Sequence, residues 1–275
     1  MSKGPGPRSL GEGGSTRTIL FGILMIAGRR LTASQVILLA RPLGISATNV
    51  KSHLTRMVAE GAILRKGPAR SAWYWPSPSQ MAVVEAVLAR LEETAAEDWN
   101  GTWILLTLSM PARRGERERT RAALWFDGFR PWGPTAFSRP AWPETWALER
   151  ARRHLEGATG LAVHGALVGR MDLAAVATLY DLDSLDREAR RRVRWVRDRR
   201  VPRDSEARAW ALRLTVGGLV ARFIGHDPRL PSAIWGKRTG IRSLVRAFHH
   251  FDARVAPLAE RFLSSVLAPS SAKLD

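Results

Sequence analysis

These 275 residues predict an α+β protein in three parts, and three observations carry that reading. Residues 15–78 hold three short helix-period segments followed by a basic strand pair. Residues 99–170 follow the order strand, helix, strand, strand, helix, strand, and residues 171–268 carry apolar residues at helical spacing. The expected architecture is an N-terminal winged helix-turn-helix over 15–78 and a linker helix over 79–98. A central ferredoxin-like β-α-β-β-α-β domain follows over 99–170, then a C-terminal α-helical domain over 171–268.

In the N-terminal third, Ile19, Leu20, Ile23, Leu24, Ile26 and Ala27 recur at helical spacing behind Ser15 or Thr16 as cap. A second short helix spans Ser34–Leu39 with Thr32 as its N-cap, and Arg41-Pro42-Leu43-Gly44 breaks it. A third helix runs from Ala47 to Glu60, capped by Ser46 and closed by Gly61. Two strands, 62–66 and 71–75, then flank the turn Gly67-Pro68-Ala69-Arg70. Trp73 and Trp75 alternate on the second strand. They suit either packing against the helices or stacking on single-stranded bases, and packing is the expectation.

The third helix sorts its residues by face. Val50, Leu54, Met57 and Val58 form the apolar stripe, and the opposite face carries Thr48, Asn49, Ser52, Thr55 and Arg56, with Lys51 and His53 on the flanks. A helix that reads base edges needs such donors and amides, cations for phosphates, and no carboxylate repelling the backbone. The wing adds Arg65, Lys66 and Arg70 at a hairpin tip, where phosphate or minor-groove contact is easy. The predicted DNA-binding residues are therefore Thr48, Asn49, Lys51, Ser52, Thr55, Arg56, Arg65, Lys66 and Arg70. Charge agrees with this, because residues 1–78 carry 11 basic and 2 acidic groups within a chain of net charge +18. Residues 79–170 are nearly neutral, with 12 basic and 11 acidic groups, while residues 171–275 carry 20 and 12. An Arg-rich composition can explain the last segment, but it explains residues 1–78 poorly.

In the middle third, a helix over 80–94 precedes a buried strand over 102–108 and a charged helix over 114–126. A hairpin over 128–140, a helix over 143–155 and a strand over 161–168 complete the series. The C-terminal third opens on an Arg-rich stretch, 181–201. It suits a second DNA contact, a site for a phosphate-rich effector, or a solvated helix face balanced by Asp186, Glu188 and Asp198. Helical patterns over 206–224 and 241–267 leave room for a ligand between helices.

Other chemistry is bounded by what the sequence lacks. With no Cys there are no disulfides, thiolate zinc sites or Cys nucleophiles. His226-Asp227, followed by Pro228, belongs to a helix-ending turn, and His249-His250 with Asp252 lacks the i, i+4 histidine pair that places two imidazoles on one helix face. A Gly-rich phosphate loop and a G-x-S-x-G elbow are also missing. No catalytic residue, metal site or cofactor is expected. The apolar stretch Ile19–Ala27 is too short to span a bilayer, and the first eighteen residues read as a loose arm, so a cytoplasmic protein is expected. One winged helix reads too few base pairs for genomic selectivity, which predicts a homodimer on a near-palindromic double-stranded operator.

Three blocks resemble the PaaX-type transcriptional regulators, named for the repressor of phenylacetate catabolism. The first is Leu43-Gly44-Ile45-Ser46 through Arg56-Met57, then Gly61-Ala62-Ile63-Leu64. The second is Asp98-Trp99-Asn100-Gly101-Thr102-Trp103, with Arg117, Arg119 and Arg121 leading to Leu124 and Gly128-Phe129. The third is Asp227-Pro228-Arg229-Leu230-Pro231 with Trp235-Gly236. The resemblance implies a repressor of a catabolic operon, released by a small-molecule effector, an aryl-acyl-CoA thioester. It also implies a middle domain similar to ferredoxin-like CRISPR-associated endoribonucleases. The alternative function is thus a nucleic-acid-processing nuclease, but its metal-binding Asp is missing where the first strand ends in Leu108-Ser109-Met110-Pro111. The middle domain accordingly reads as a dimerisation or spacing scaffold.

Overall fold

Ser15 opens the first element: its hydroxyl accepts the amide of Thr18, and Gly28 closes the helix in the left-handed region. This is α1 (Thr16–Ala27) of a computed structural model that describes residues 15–68, 71–91, 99–166 and 172–268. A two-residue strand, β1 (Leu31–Thr32), leads into α2 (Ala33–Ala40), whose start is fixed by a capping box between Thr32 and Gln35. A 3-10 turn, Arg41–Leu43, starts with Pro42 in its first turn and ends at Gly44, where φ is +75°. After it comes α3 (Ala47–Ala59), with Ser46 accepting the amide of Asn49. The hairpin is β2 (Ile63–Lys66) and β3 (Trp73–Pro76), and β1 adds to its far side to give the order β1-β3-β2. Next is α4 (Pro78–Leu88). It ends earlier than the expected residue 94, and residues 92–98 lie outside the described residues.

The second sheet contains β4 (Thr102–Leu108), β5 (Arg130–Pro131), β6 (Ala136–Pro140) and β7 (Gly160–Ala166). Helices α5 (Arg114–Phe126) and α6 (Glu144–Leu155) connect them. The order is β5-β6-β4-β7, antiparallel at every pairing, with Leu105 opposite both Ser138 and Val163. The remaining elements are helices: α7 (Leu173–Leu179), α8 (Leu182–Arg197), α9 (Glu206–Ile224), α10 (Ser232–Trp235) and α11 (Gly240–Leu267). The protein is α+β with two antiparallel sheets. No helix among the described residues is long and apolar enough to cross a membrane.

The chain divides into two compact units. One holds Met1–Ala89, Val193–Arg222 and Val245–Asp275; the other holds Arg90–Arg192 and Phe223–Leu244. In the first unit, Leu20 and Ile23 of α1, Leu39 of α2, and Val50, Leu54 and Met57 of α3 share one core with Ile63 and Tyr74. Residues from far along the chain complete that core: Trp210 and Leu214 of α9 and Ala259 of α11, backed by Phe262 and Leu263. The fully buried Trp210 donates its indole N–H to the Leu39 carbonyl at 2.8 Å. Arg213 ties α9 to α11 through a two-pronged contact with Asp252, at 2.8 and 3.0 Å, and a third bond to Glu260.

In the second unit, Ile104, Leu106 and Leu108 of β4 and Phe137 of β6 pack on Leu124 of α5 and Ala147 and Ala151 of α6. A second cluster joins Trp103 to Tyr180, Leu182, Leu230 and Ile234. Asp186 caps the start of α11, accepting the Gly240 amide at 2.6 Å, where the helix dipole favours a carboxylate. A side chain at Gly240 would meet the Asp186 carbonyl, so the approach requires glycine.

Candidate nucleic-acid interface

The face of α3 is set by its buried stripe. Val50, Leu54 and Met57 are 0–2% exposed, which turns Thr48, Asn49, Lys51, Ser52, Thr55 and Arg56 outward, and all six are exposed. Thr55 donates its hydroxyl to the Lys51 carbonyl at 3.1 Å, which leaves the hydroxyl oxygen able to accept. Glu60, the acid at the far end of the helix, is held by Arg17 of α1 at 2.5 Å. Among the described residues, no carboxylate pairs with Lys51, Arg56, Arg65 or Lys66. The six outward residues thus offer donors, acceptors and cations without a competing negative charge.

The hairpin places Arg65 and Lys66 at the exposed end of β2, opposite Tyr74 and Trp73. Arg70, the third predicted wing cation, lies outside the described residues. The expectation that Trp73 or Trp75 packs the wing onto the helices needs correction. Strand alternation turns Ala72 and Tyr74 inward, and Tyr74 joins the core, while Trp73 stays 41% exposed. Trp75 is half-buried under the guanidinium of Arg30, 4.5 Å from its ring centre. Arg30 therefore adds a cation to the hairpin that the sequence reading missed. The signal was the two-residue strand β1, which brings the loop after α1 to β3 and is too short to recognise by pattern.

In the Arg-rich helix α8, Arg190 pairs with Asp186 at 2.7 Å, and Arg191 and Arg192 both reach Glu188. Arg192 also lies over Phe223, and Arg199 over Trp195. No carboxylate pairs with Arg199 or Arg200 among the described residues.

The second and third sequence blocks meet in the second unit. Trp99 stands edge-on to Trp103 and donates to the Thr102 carbonyl, while Asn100 accepts from the amide and hydroxyl of Thr102. Leu230 and Trp235 pack beside this turn. Gly128, at φ +81°, lies so close to Pro228 that a β-carbon would stand 2.5 Å from its carbonyl oxygen. Around this contact, buried arginines donate to backbone carbonyls at and just beyond the end of α5: Arg90 to Phe126, Arg130 to Trp125 and Phe129, and Arg139 to Asp127. Arg139 also reaches Trp142 and Arg229.

Burial sets the acidity of these groups. It lowers Arg139 to about 9 and Arg90 and Arg130 to about 10, and it raises Tyr180 to about 12. Burial also raises the Asp227 carboxyl, against the opposing pull of the Arg229 amide and the Arg90 charge. Asp127 sits between Arg150 and His154, whose ring nitrogen is 2.9 Å away. These groups fasten a loop, a helix end and a strand, and each of the three arginines donates to backbone carbonyls. The end of β4 runs from Leu108 into Ser109 and Met110. Among the described residues, no three His, Asp or Glu side chains gather to hold a metal ion.

No protein-family model and no curated protein matches the chain. Among solved structures, an uncharacterized protein, Rv0674, from Mycobacterium tuberculosis is similar at 21% identity with a TM-score of 0.56, covering 90% of this chain and 97% of its own. At that identity the likeness concerns the α+β fold alone.

Proposed function

We propose that this chain is a dimeric, sequence-specific DNA-binding transcriptional regulator acting in the cytoplasm. The observation that carries the reading is the outward face of α3. Its six polar or cationic residues are exposed, its terminal acid is neutralised by Arg17, and Arg65 and Lys66 flank it on the hairpin. On this reading residues 15–78 are a winged helix-turn-helix with α3 as the recognition helix. Residues 99–170 are a ferredoxin-like domain, supported by the order β5-β6-β4-β7.

Dimerisation through that domain has support of its own. β7 ends the sheet, and Leu161 and Val163 on it, with Leu105 beside them, are 43–56% exposed. The resemblance to PaaX-type regulators extends the proposal to a repressor of a catabolic operon, released by an aryl-acyl-CoA thioester.

The test is selection from a duplex library randomised over about three helical turns, so that two half-sites one turn apart can both be found. Enriched duplexes are then compared with random competitor, with and without divalent metal, while strand cleavage is followed. Enrichment of a near-palindromic site without cleavage is the expected result. No enrichment over random duplex, or metal-dependent cleavage, overturns the proposal.

A further inference from the structure

Beside the turn that leads into α3, the first unit has a cleft of about 580 Å³, within the size range of small-molecule sites. Its walls combine two chemistries. Ile19 of α1, Leu43 of the 3-10 turn and Leu212 of α9 supply apolar surface, and Trp195 of α8 an aromatic ring. Arg199 and Arg200 supply cations. A third lining arginine, Arg208, is already paired with Asp204 at 3.2 Å.

Arg199 is the informative member. Its guanidinium stacks 4.1 Å from the centre of the Trp195 ring, and its Nε–H is buried with no hydrogen-bond partner among the described residues. A buried donor left unmatched costs about 1–3 kcal/mol, so a charged donor kept there calls for an acceptor. No carboxylate lines the cleft to provide one.

The location gives occupancy a consequence. Pro42 and Leu43 line the cleft, and Ser46, the cap of α3, follows three residues after Leu43. Gly44, in the left-handed region, joins the two. A molecule seated against Leu43 therefore presses on the segment that aims α3.

We propose that this cleft binds an amphipathic anion, an apolar or aromatic body carrying a carboxylate or phosphate group, and that occupancy displaces the Pro42-Leu43 turn and changes duplex affinity. The coupling half of this proposal rests on the regulator reading above; the binding half does not.

The probe is 8-anilinonaphthalene-1-sulfonate, titrated by fluorescence into the full-length chain, with N-phenyl-1-naphthylamine as the uncharged control. The double variant Arg199→Gln/Arg200→Gln should bind the sulfonate about tenfold more weakly while binding the neutral compound unchanged, a difference of about 1.4 kcal/mol. Arg200→Gln alone changes an exposed side chain and keeps the test valid if the double variant melts early; it should lose a smaller, measurable part of the sulfonate affinity. Unchanged sulfonate affinity in both variants overturns the site. Displacement of the probe by 1-naphthyl phosphate or by 1-naphthoate identifies the anionic group, and displacement by neither also overturns it.

The coupling is then measured on an enriched duplex with the displacing compound at saturation. Affinity should change several-fold, and the compound's affinity for the complex should change by the same factor. No change removes the coupling and leaves the site. A chain that binds the probe through Arg199 and Arg200 but enriches no duplex removes the regulator reading and likewise leaves the site.

Discussion

Replacing Trp210 by Phe tests whether a helix near residue 210 belongs to the core that supports α3. Trp210 is fully buried, and its indole N–H meets the Leu39 carbonyl at the end of α2 at 2.8 Å. Phenylalanine keeps an aromatic ring but removes the donor, leaving a buried carbonyl unmatched at a cost of about 1–3 kcal/mol. The side chain also shrinks by about 40 Å³, which at about 24 cal/mol per Å³ of residual cavity adds about 1 kcal/mol. The expected loss is about 2–4 kcal/mol, and for a chain of this size that lowers the melting temperature by about 5–15 °C. Circular dichroism melts read it directly. Trp73→Phe is the control, because Trp73 is 41% exposed and outside the shared core, so it should shift stability by less than about 0.5 kcal/mol. If Trp210→Phe melts with the wild type, Trp210 is not the buried donor described, and the core around α1, α2 and α3 is complete without α9. A fragment ending at residue 98 extends the test: it lacks Trp210, Leu214 and Ala259, and should show no cooperative melt.

Three further outcomes are expected. Asn49→Ala and Arg56→Ala, both at exposed positions, should leave melting unchanged but cost about 1–3 kcal/mol on an enriched duplex and relax base preference. Arg65→Ala and Lys66→Ala should instead weaken all duplexes alike and reduce the salt slope by about one each; equal losses from both pairs on specific and random DNA would refute the assignment of α3. Gly128→Ala forces a β-carbon against the Pro228 carbonyl at a positive φ, so it should lose about 3 kcal/mol or more in urea denaturation, and a near-neutral effect would contradict the packing. Asp227 gives the pH dependence. Its carboxyl is raised in the folded protein, so its contribution is fully present below the ordinary Asp value of about 4 and is lost as pH rises through the raised value. The urea midpoint of the wild type should fall across that window relative to Asp227→Asn, and parallel pH curves for the two proteins would rule this out.

Local signals were strong where the chain folds on itself. Ser15, Thr32 and Ser46 cap helices, Gly44 and Gly61 adopt the left-handed region, and the stripe of Val50, Leu54 and Met57 is buried. Each is decided within a turn or two of helix, so periodicity and capping chemistry suffice. The expectation that Trp73 or Trp75 packs on the helices fails on strand parity, which buries Tyr74 between them and depends on the register against β2. The buried arginines 90, 130 and 139 were read only as part of the charge tally. Their partners are backbone carbonyls, which leave no trace in side-chain patterns. Trp210 and the cleft were beyond local reading, since each joins residues more than 150 positions apart.

That distance has a physical reason. A three-helix unit of about 60 residues buries a smaller fraction of its surface than a larger domain does, and is marginal by itself. Here the Leu39 carbonyl at the end of α2 accepts the Trp210 indole N–H, and Phe262 stands beside that ring. Residues 193–222 and 245–267 therefore belong to the same cooperative core as the face of α3. A substitution on α9 or α11 is then expected to act on the proposed DNA-binding surface through packing, without touching a base or a phosphate. The cleft lies on this same join, between Leu43 and Leu212. Proteins that hold a ligand against such a join gain a lever on the surface it supports, because packed cores repack between discrete arrangements and do not deform smoothly.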